Sequence, residues 1–383
     1  MVQLVKSRRR YLEPHVAHVL PKKMAFVGGP RQVGKTTLAL RLVAETADET
    51  HPAYFNWDDP RSAARIRKLE LPPNQPLVVL DEIHKFARWR NLVKGIYDVE
   101  RSRRAIVVTG SARLDYYRKG GDSLANRYRY FRLHPFSACE LNPAPTRSDV
   151  DALLRFGGFP EPLLLQDERE HRIWQRDRIS RVVRDDLRDL EQVREISLVE
   201  QLVDLLPERV GAPLSVKSLR EDLGVDHKTV ERWLTILENL YLCFRVPPYG
   251  PAKVRAVKKE RKLYLWDWSM TPEGGARFEN LVASQLLKYC HFVEDTEGHA
   301  MELRFLRDTD KREIDFVVLR DRKPLFAVEC KSGERAVSPA IRYFAERTPV
   351  PRFYQVHLGD RHYETGATTV LPFRTFCREL ALP

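Results

Sequence analysis

Gly29-Pro30-Arg31-Gln32-Val33-Gly34-Lys35-Thr36 has the spacing Gly-x-x-x-x-Gly-Lys-Thr, and the apolar run Met24-Ala25-Phe26-Val27 stands before it as the strand such a loop requires. Glycines let successive backbone N–H groups turn inward around phosphate oxygens, Lys35 adds a mobile cation, and the Thr36 hydroxyl is suited to hold Mg²⁺. Thr37-Leu38-Ala39-Leu40-Arg41-Leu42-Val43 follows as a helix whose positive end faces those phosphates. Every residue from Gly29 to Thr37 is therefore expected to line a site for ATP with Mg²⁺. The spacing also arises by chance in long chains, so its context decides.

Leu77-Val78-Val79-Leu80-Asp81-Glu82 supplies that context, four apolar residues and then two carboxylates at the end of a second buried strand. Asp81 is expected to orient Mg²⁺, and Glu82 to polarise the water that attacks the γ-phosphate; the bland alternative for Glu82 is a surface acid at a strand end. Ala105-Ile106-Val107-Val108-Thr109-Gly110-Ser111 reads as another buried strand ending in small polar residues. Ser111 reads either as a γ-phosphate sensor or as a cap on the next helix. Arg127 precedes the run Tyr128–Leu133 and is a candidate to reach a neighbouring subunit's nucleotide, which calls for a homo-oligomer; an arginine there is also commonly just solvated.

The chain has 383 residues, enough for two or three domains, with 43% hydrophobic and 31% charged residues. A formal net charge of +12 favours polyanions, with nucleic acid as the leading candidate and DNA as the partner of the basic winged helix described below. The cysteines Cys139, Cys243, Cys290, Cys330 and Cys377 are odd in number and lie far apart, which excludes a zinc or disulfide framework and suits a reducing cytoplasm. Tyr11-Leu12-Glu13-Pro14-His15 stands where a leader would carry its apolar core, and no stretch reaches the roughly 18 to 20 apolar residues that span a bilayer, so no membrane attachment is expected.

Residues 1–140 alternate short apolar runs with helical patterns, the signature of an α/β parallel sheet, with strands expected at Met24–Val27, Ala53–Asn56, Leu77–Leu80, Ala105–Thr109 and Tyr128–Leu133. Residues 141–206 read as a helical linker or lid in which Ile179, Val182, Val183, Leu187 and Leu190 share a face and the arginines form a solvated, ion-paired surface. Residues 207–266 read as a winged helix-turn-helix. Its helices Val216–Leu223 and His227–Leu240 are joined at Gly224-Val225-Asp226, and Asp226 is placed to cap the second. His227, Lys228 and Arg232 are expected to face outward, and Lys253, Arg255, Lys258, Lys259, Arg261 and Lys262 to contact phosphates. Residues 267–383 read as a second α/β unit, with a helix near Phe278–Tyr289 and strands near Glu302–Leu306, Ile314–Leu319, Leu325–Cys330 and Arg352–Val356.

Gly28 to Leu38, Leu80-Asp81-Glu82-Ile83-His84-Lys85, Thr109-Gly110-Ser111-Ala112-Arg113 and Leu133-His134-Pro135-Phe136-Ser137-Ala138-Cys139-Glu140 together resemble a large family of prokaryotic AAA-type ATP-binding proteins. Members join that ATPase to a C-terminal domain of unknown function, and Gly157-Gly158-Phe159-Pro160-Glu161 and Glu313-Ile314-Asp315-Phe316-Val317 are similar to that second part. The resemblance implies an AAA-type sheet and a restriction-endonuclease-like fold at the C-terminus. This chain departs from it at Ala125-Asn126-Arg127, where Ala-Gly-Arg is usual.

Glu279 on a helix, Asp315 within a strand and Glu329-Cys330-Lys331 on the next resemble the PD-(D/E)xK nuclease arrangement, with Ile314 where a proline often stands. Residues two apart on a strand share a face, so Glu329 and Lys331 project together. The resemblance implies that Asp315, Glu329 and Glu279 hold a metal ion and that Lys331 assists the attacking water. The alternative is a salt-bridged cluster on a fold that no longer cuts. Three functions follow: an ATP-hydrolysing AAA-type protein acting on DNA, a metal-dependent nuclease regulated by ATP, or a non-catalytic ATP-gated scaffold.

Overall fold

The computed structural model describes residues 8–45, 47–110, 114, 124, 126–186, 195–251, 254 and 260–383. The chain divides into two compact units, Met1–Pro135 and Phe136–Pro383.

The first unit is built on β1 (Met24–Gly28), β2 (Tyr54–Asn56), β3 (Leu77–Asp81), β4 (Ala105–Thr109) and β5 (Tyr128–Arg132). These strands form one parallel sheet in the order β2-β3-β4-β1-β5. Every residue of β1 and β3 is buried, as expected of central strands covered on both faces. The order places β1 between β4 and β5, so the winding changes direction at the strand that feeds the glycine loop. In open α/β sheets the crevice beyond the carboxyl ends at such a switch point is where ligands sit. Helices Pro60–Arg67 and Trp89–Glu100 send Ile66, Trp89, Val93 and Ile96 into a core with Phe26, Phe55, Val78 and Leu80.

The second unit opens with a capping box in which Ser137 and Glu140 bond each other's backbone N–H groups. Helices Arg147–Phe156, Glu168–Arg181 and Ile196–Leu205 follow, and Leu187 and Leu190 lie outside the described residues. One expectation fails here: Arg178 is not part of a solvated face. Its guanidinium is buried 4.1 Å from the centre of the Phe159 ring and donates to the Tyr241 carbonyl, so the ring face and one carbonyl offset part of the cost of taking the cation out of water, and burial still lowers its pKa.

Helices Val216–Leu223 and His227–Asn239 are joined through Gly224, and Asp226 accepts from the N–H groups of Lys228 and Thr229. Val230, Trp233, Leu234 and Leu237 are buried while His227, Lys228 and Arg232 are exposed. A two-stranded antiparallel ribbon, β6 (Cys243–Val246) and β7 (Lys262–Leu265), completes this part. Arg245 of β6 ties it to the preceding helix through Glu231 at 2.6 Å and Glu238 at 2.8 Å.

The remaining strands, β8 (Met301–Arg307), β9 (Glu313–Arg320), β10 (Lys323–Lys331), β11 (Phe353–His357), β12 (Tyr363–Thr365) and β13 (Thr368–Pro372), form a mixed sheet in the order β12-β13-β11-β10-β9-β8. The 23-residue helix Gly275–Glu297 packs on it through β8, β9 and β10. Strand β13 was not anticipated from sequence, although every one of its residues is buried. Its two threonines and terminal proline disguise a strand that pairs in parallel with β11. Among the described residues, no helix is long and apolar enough to cross a membrane.

Candidate functional site

The glycine loop leaves β1 at Gly28 and re-enters as helix Lys35–Val43. Gly29 has φ +146°, and a Cβ there would fall 2.4 Å from the Leu133 carbonyl oxygen, so the loop passes the residue after β5 too closely for any side chain. Gln32 and Gly34 also take positive φ, at 61° and 97°, which turns the backbone around the space beyond β1. The Lys35 ammonium is folded into this loop, donating to the carbonyls of Gly29 at 3.1 Å and Pro30 at 2.7 Å.

Beside the loop, β3 delivers Asp81. Its carboxylate accepts from the hydroxyls of Thr36 and Tyr54, each at 2.8 Å, and from the Thr109 hydroxyl at the end of β4. Two candidate Mg²⁺ groups, Thr36 and Asp81, therefore meet directly although they lie far apart in sequence. An oxygen-only pair of carboxylate and hydroxyl fits the hard Mg²⁺ ion. Burial beside Asp81 pushes the Tyr54 hydroxyl up, so Tyr54 remains a proton donor to the carboxylate.

Glu82 follows with φ +55°, a left-handed conformation that a non-glycine residue holds only where its surroundings dictate it. Burial pushes its carboxyl above the ordinary range. The Lys35 charge opposes that rise most, Asp81 adds to it, and Lys85 and Arg31 oppose it further. Its Oε2 lies 3.4 Å from Lys85 Nζ and 3.7 Å from His84 Nε2. Glu82 is thus a half-buried carboxylate at the end of β3, with Lys85 and His84 beside it.

Ser111 lies outside the described residues. Arg127 stands just before β5, where its carbonyl accepts from the Met24 N–H and its Nε lies 3.0 Å from Asp98. This is the amino end of the sheet, a strand length of about 17 Å from the loop of its own chain. Asn126 takes φ +64°, a conformation asparagine tolerates better than most residues, which explains how it replaces the usual glycine.

One residue belongs to no sequence motif. Arg10 is buried and donates to the Val33 carbonyl at 2.6 Å and the His134 carbonyl at 2.5 Å, so it clamps the glycine loop to the segment after β5. Only its distance from any motif hid it. Arg10→Ala is expected to leave both carbonyls unsatisfied at a cost of about 1–3 kcal/mol, and to weaken ATP binding about tenfold; calorimetric titration with ATP checks this.

In the second unit, Glu279 lies on helix Gly275–Glu297, Asp315 on β9, and Glu329 and Lys331 on β10. Lys331 Nζ donates to Glu329 Oε1 at 2.6 Å, and the Cys330 N–H to Asp315 Oδ2 at 2.8 Å. Burial, then the Asp315 charge, pushes the carboxyls of Glu279 and Glu329 up to about 7. The expectation that Lys262 contacts phosphates is wrong. Lys262 has no exposed surface; its ammonium lies 3.0 Å from Glu279, 2.5 Å from Glu313 and 3.4 Å from Asp315. Lys262 follows the basic run in sequence, but the pairing of β7 aims it inward at these carboxylates. Of the other predicted phosphate contacts, Arg261 is exposed, while Lys253, Arg255, Lys258 and Lys259 lie outside the described residues.

A switch-point strand running into a glycine loop, with a hydroxyl and a strand-end carboxylate joined beside it, defines a P-loop nucleotide-binding domain. Residues 21–142 match the family described as AAA domain. Residues 147–272 and 274–376 match two domains of unknown function, DUF8612 and DUF4143. Among curated proteins, the uncharacterized protein MJ1544 of Methanocaldococcus jannaschii is 22% identical over 81% of this chain and 75% of its own length. Among solved structures, the RuvB Holliday junction branch migration motor of Thermotoga maritima is 15% identical over 63% of this chain and 90% of its own, with a TM-score of 0.32. The Aeropyrum pernix Orc1 protein in complex with DNA is 16% identical over 74% and 95%, with a TM-score of 0.34.

Proposed function

We propose that this chain hydrolyses ATP at the glycine loop of its first unit, and that turnover is linked to DNA engaged by the helix-turn-helix and ribbon of its second. The observation that carries the reading is the hydrogen bond between Thr36 and Asp81, which joins the loop to the acidic strand end. Thr36 and Asp81 would hold Mg²⁺, which offsets phosphate charge when bound. Lys35 exchanges its loop carbonyls for phosphate oxygens, and Glu82 accepts the proton of the attacking water. The distance of Arg127 from its own loop supports action on a neighbouring chain's nucleotide, hence a homo-oligomer.

The net charge of +12 supports contact with a polyanion. An open cleft of about 650 Å³ lies beside helix His227–Asn239, where Lys217, His227, Arg245 and Arg261 line it together with Glu231 and Glu260. Measuring ATP turnover with and without duplex DNA tests both halves of the reading. Mg²⁺-dependent turnover that rises with DNA and disappears in Lys35→Ala is expected. Turnover that persists in Lys35→Ala removes the assigned site; turnover indifferent to DNA, with weak and salt-insensitive DNA binding, leaves an ATP-gated docking protein instead.

A further inference from the structure

A nuclease-like reading of the second unit requires a divalent cation among Glu279, Asp315 and Glu329, and the residues present do not fit one. Mg²⁺ takes oxygen ligands at about 2.0–2.1 Å in near-octahedral array. Here the oxygens converge on nitrogen. Lys262 Nζ sits between Glu279 Oε1, Glu313 Oε1 and Asp315 Oδ1 at 3.0, 2.5 and 3.4 Å. Neighbouring oxygens are engaged too: the Tyr264 hydroxyl donates to Glu279 Oε1 at 2.7 Å, Arg307 to Glu313 Oε2 at 2.6 Å, the Cys330 N–H to Asp315 Oδ2 at 2.8 Å and Lys331 to Glu329 Oε1 at 2.6 Å, while Glu329 Oε2 alone, buried without a hydrogen bond, is one oxygen where a divalent ion needs several. Among the described residues no group of three or more His, Cys, Asp or Glu is arranged to hold a metal.

We infer that the Lys262 ammonium is the resident cation of this centre: Glu279, Glu313 and Asp315 fold around a side chain of their own polypeptide and exclude a divalent metal, so the domain does not cleave phosphodiesters. Lys262 cannot swing aside as a surface lysine does. Its backbone is held by Val246 of β6 and by a bridge to Pro213, and the flanking residues bond Leu214 and Gly211. Gly211 at φ +79° leaves the space into which the Glu279 carboxylate fits, 3.2 Å from where a Cβ would stand. Four chain segments thus build the ion cluster, and its effect is to pin the ribbon to the C-terminal sheet. A metal entering these oxygens would meet a fixed positive charge at contact distance, where like charges repel most strongly.

Mn²⁺ titration of the nucleotide-free, EDTA-treated full chain, followed by the loss of the free-ion electron paramagnetic resonance signal, tests this. The wild type and Asp315→Asn are expected to give the same titration. Lys262→Ala is expected to take up one additional Mn²⁺ per chain, and Lys262→Ala combined with Asp315→Asn to lose it. Uptake by the wild type that falls in Asp315→Asn or Glu329→Gln overturns the inference, as does a folded Lys262→Ala that gains no ion. Should Lys262→Ala fold only with Mn²⁺ present, that rescue supports it. If it folds under no condition, the comparison of wild type with Asp315→Asn still decides.

Discussion

Glu82→Gln is expected to bind ATP as the wild type does while lowering kcat by about 10²–10⁴, the range that a positioned general base contributes. The substitution keeps the size and polar contacts of the side chain, so the left-handed turn at φ +55° persists. It removes only the capacity to accept a proton. Burial raises the Glu82 carboxyl above its ordinary 4.5, so the acid limb of kcat/KM in the wild type is expected to lie above that value. The base must be ionised to act, and activity therefore falls as the pH drops through its raised pKa. Steady-state turnover against pH, with ATP binding measured separately, checks both. A kcat unchanged in Glu82→Gln assigns the proton to another acceptor, and an acid limb at the ordinary carboxylate value means that Glu82 is solvated in the working enzyme.

The candidate nucleotide site was legible because its chemistry is local. The loop spacing and the pair Asp81-Glu82 each occupy one short stretch, and the parallel strands that carry them are near-continuous apolar runs. The alternation of strands and helices implied a parallel sheet but not its order, and it is the order, with β3 and β4 on the same side of β1, that lets Thr36 bond Asp81. Arg10 was not legible, since its partners are two carbonyls that belong to no side-chain pattern. Arg178 was misread for a related reason: a helix rich in arginines gives no sign of which one faces aromatic rings instead of water.

Lys262 shows where pattern reading ends. Its neighbours in sequence are basic, so it reads as one more phosphate contact. Alternation along β7 puts Lys262 and Tyr264 on one face, and alternation along β9 puts Glu313 and Asp315 on one face. Those two periodicities contain the site, but only the packing of the ribbon against helix Gly275–Glu297 and β9 brings the faces together. The same geometry links the two centres chemically. In the first unit a lysine rests on backbone carbonyls that phosphate oxygens can replace; in the second a lysine rests on carboxylates that nothing in the cluster can replace. A cation held by neutral dipoles is available to a ligand, whereas one held by charged groups is committed to the fold.

Lys262→Met is expected to destabilise the second unit by about 3–5 kcal/mol near pH 8, the cost of leaving buried charges without their partner. Burial would by itself lower the Lys262 pKa, but Glu279, Asp315 and Glu313 outweigh it and raise it well above the ordinary lysine range, so the ammonium stays charged throughout the neutral region. Glu279 and Glu329, already pushed up to about 7 with that ammonium present, are expected to rise further without it. The folded variant then binds more protons than the unfolded chain between the ordinary carboxylate value and these raised ones, so its stability is fullest on the acid side of that window and is lost as pH rises through it. The deficit relative to wild type should therefore shrink at about pH 5 compared with about pH 8. Urea titrations at both pH values, with hydrogen exchange at β7 and β9 reporting the second unit, measure it. A deficit that is the same at both pH values means that the ammonium does not neutralise the cluster.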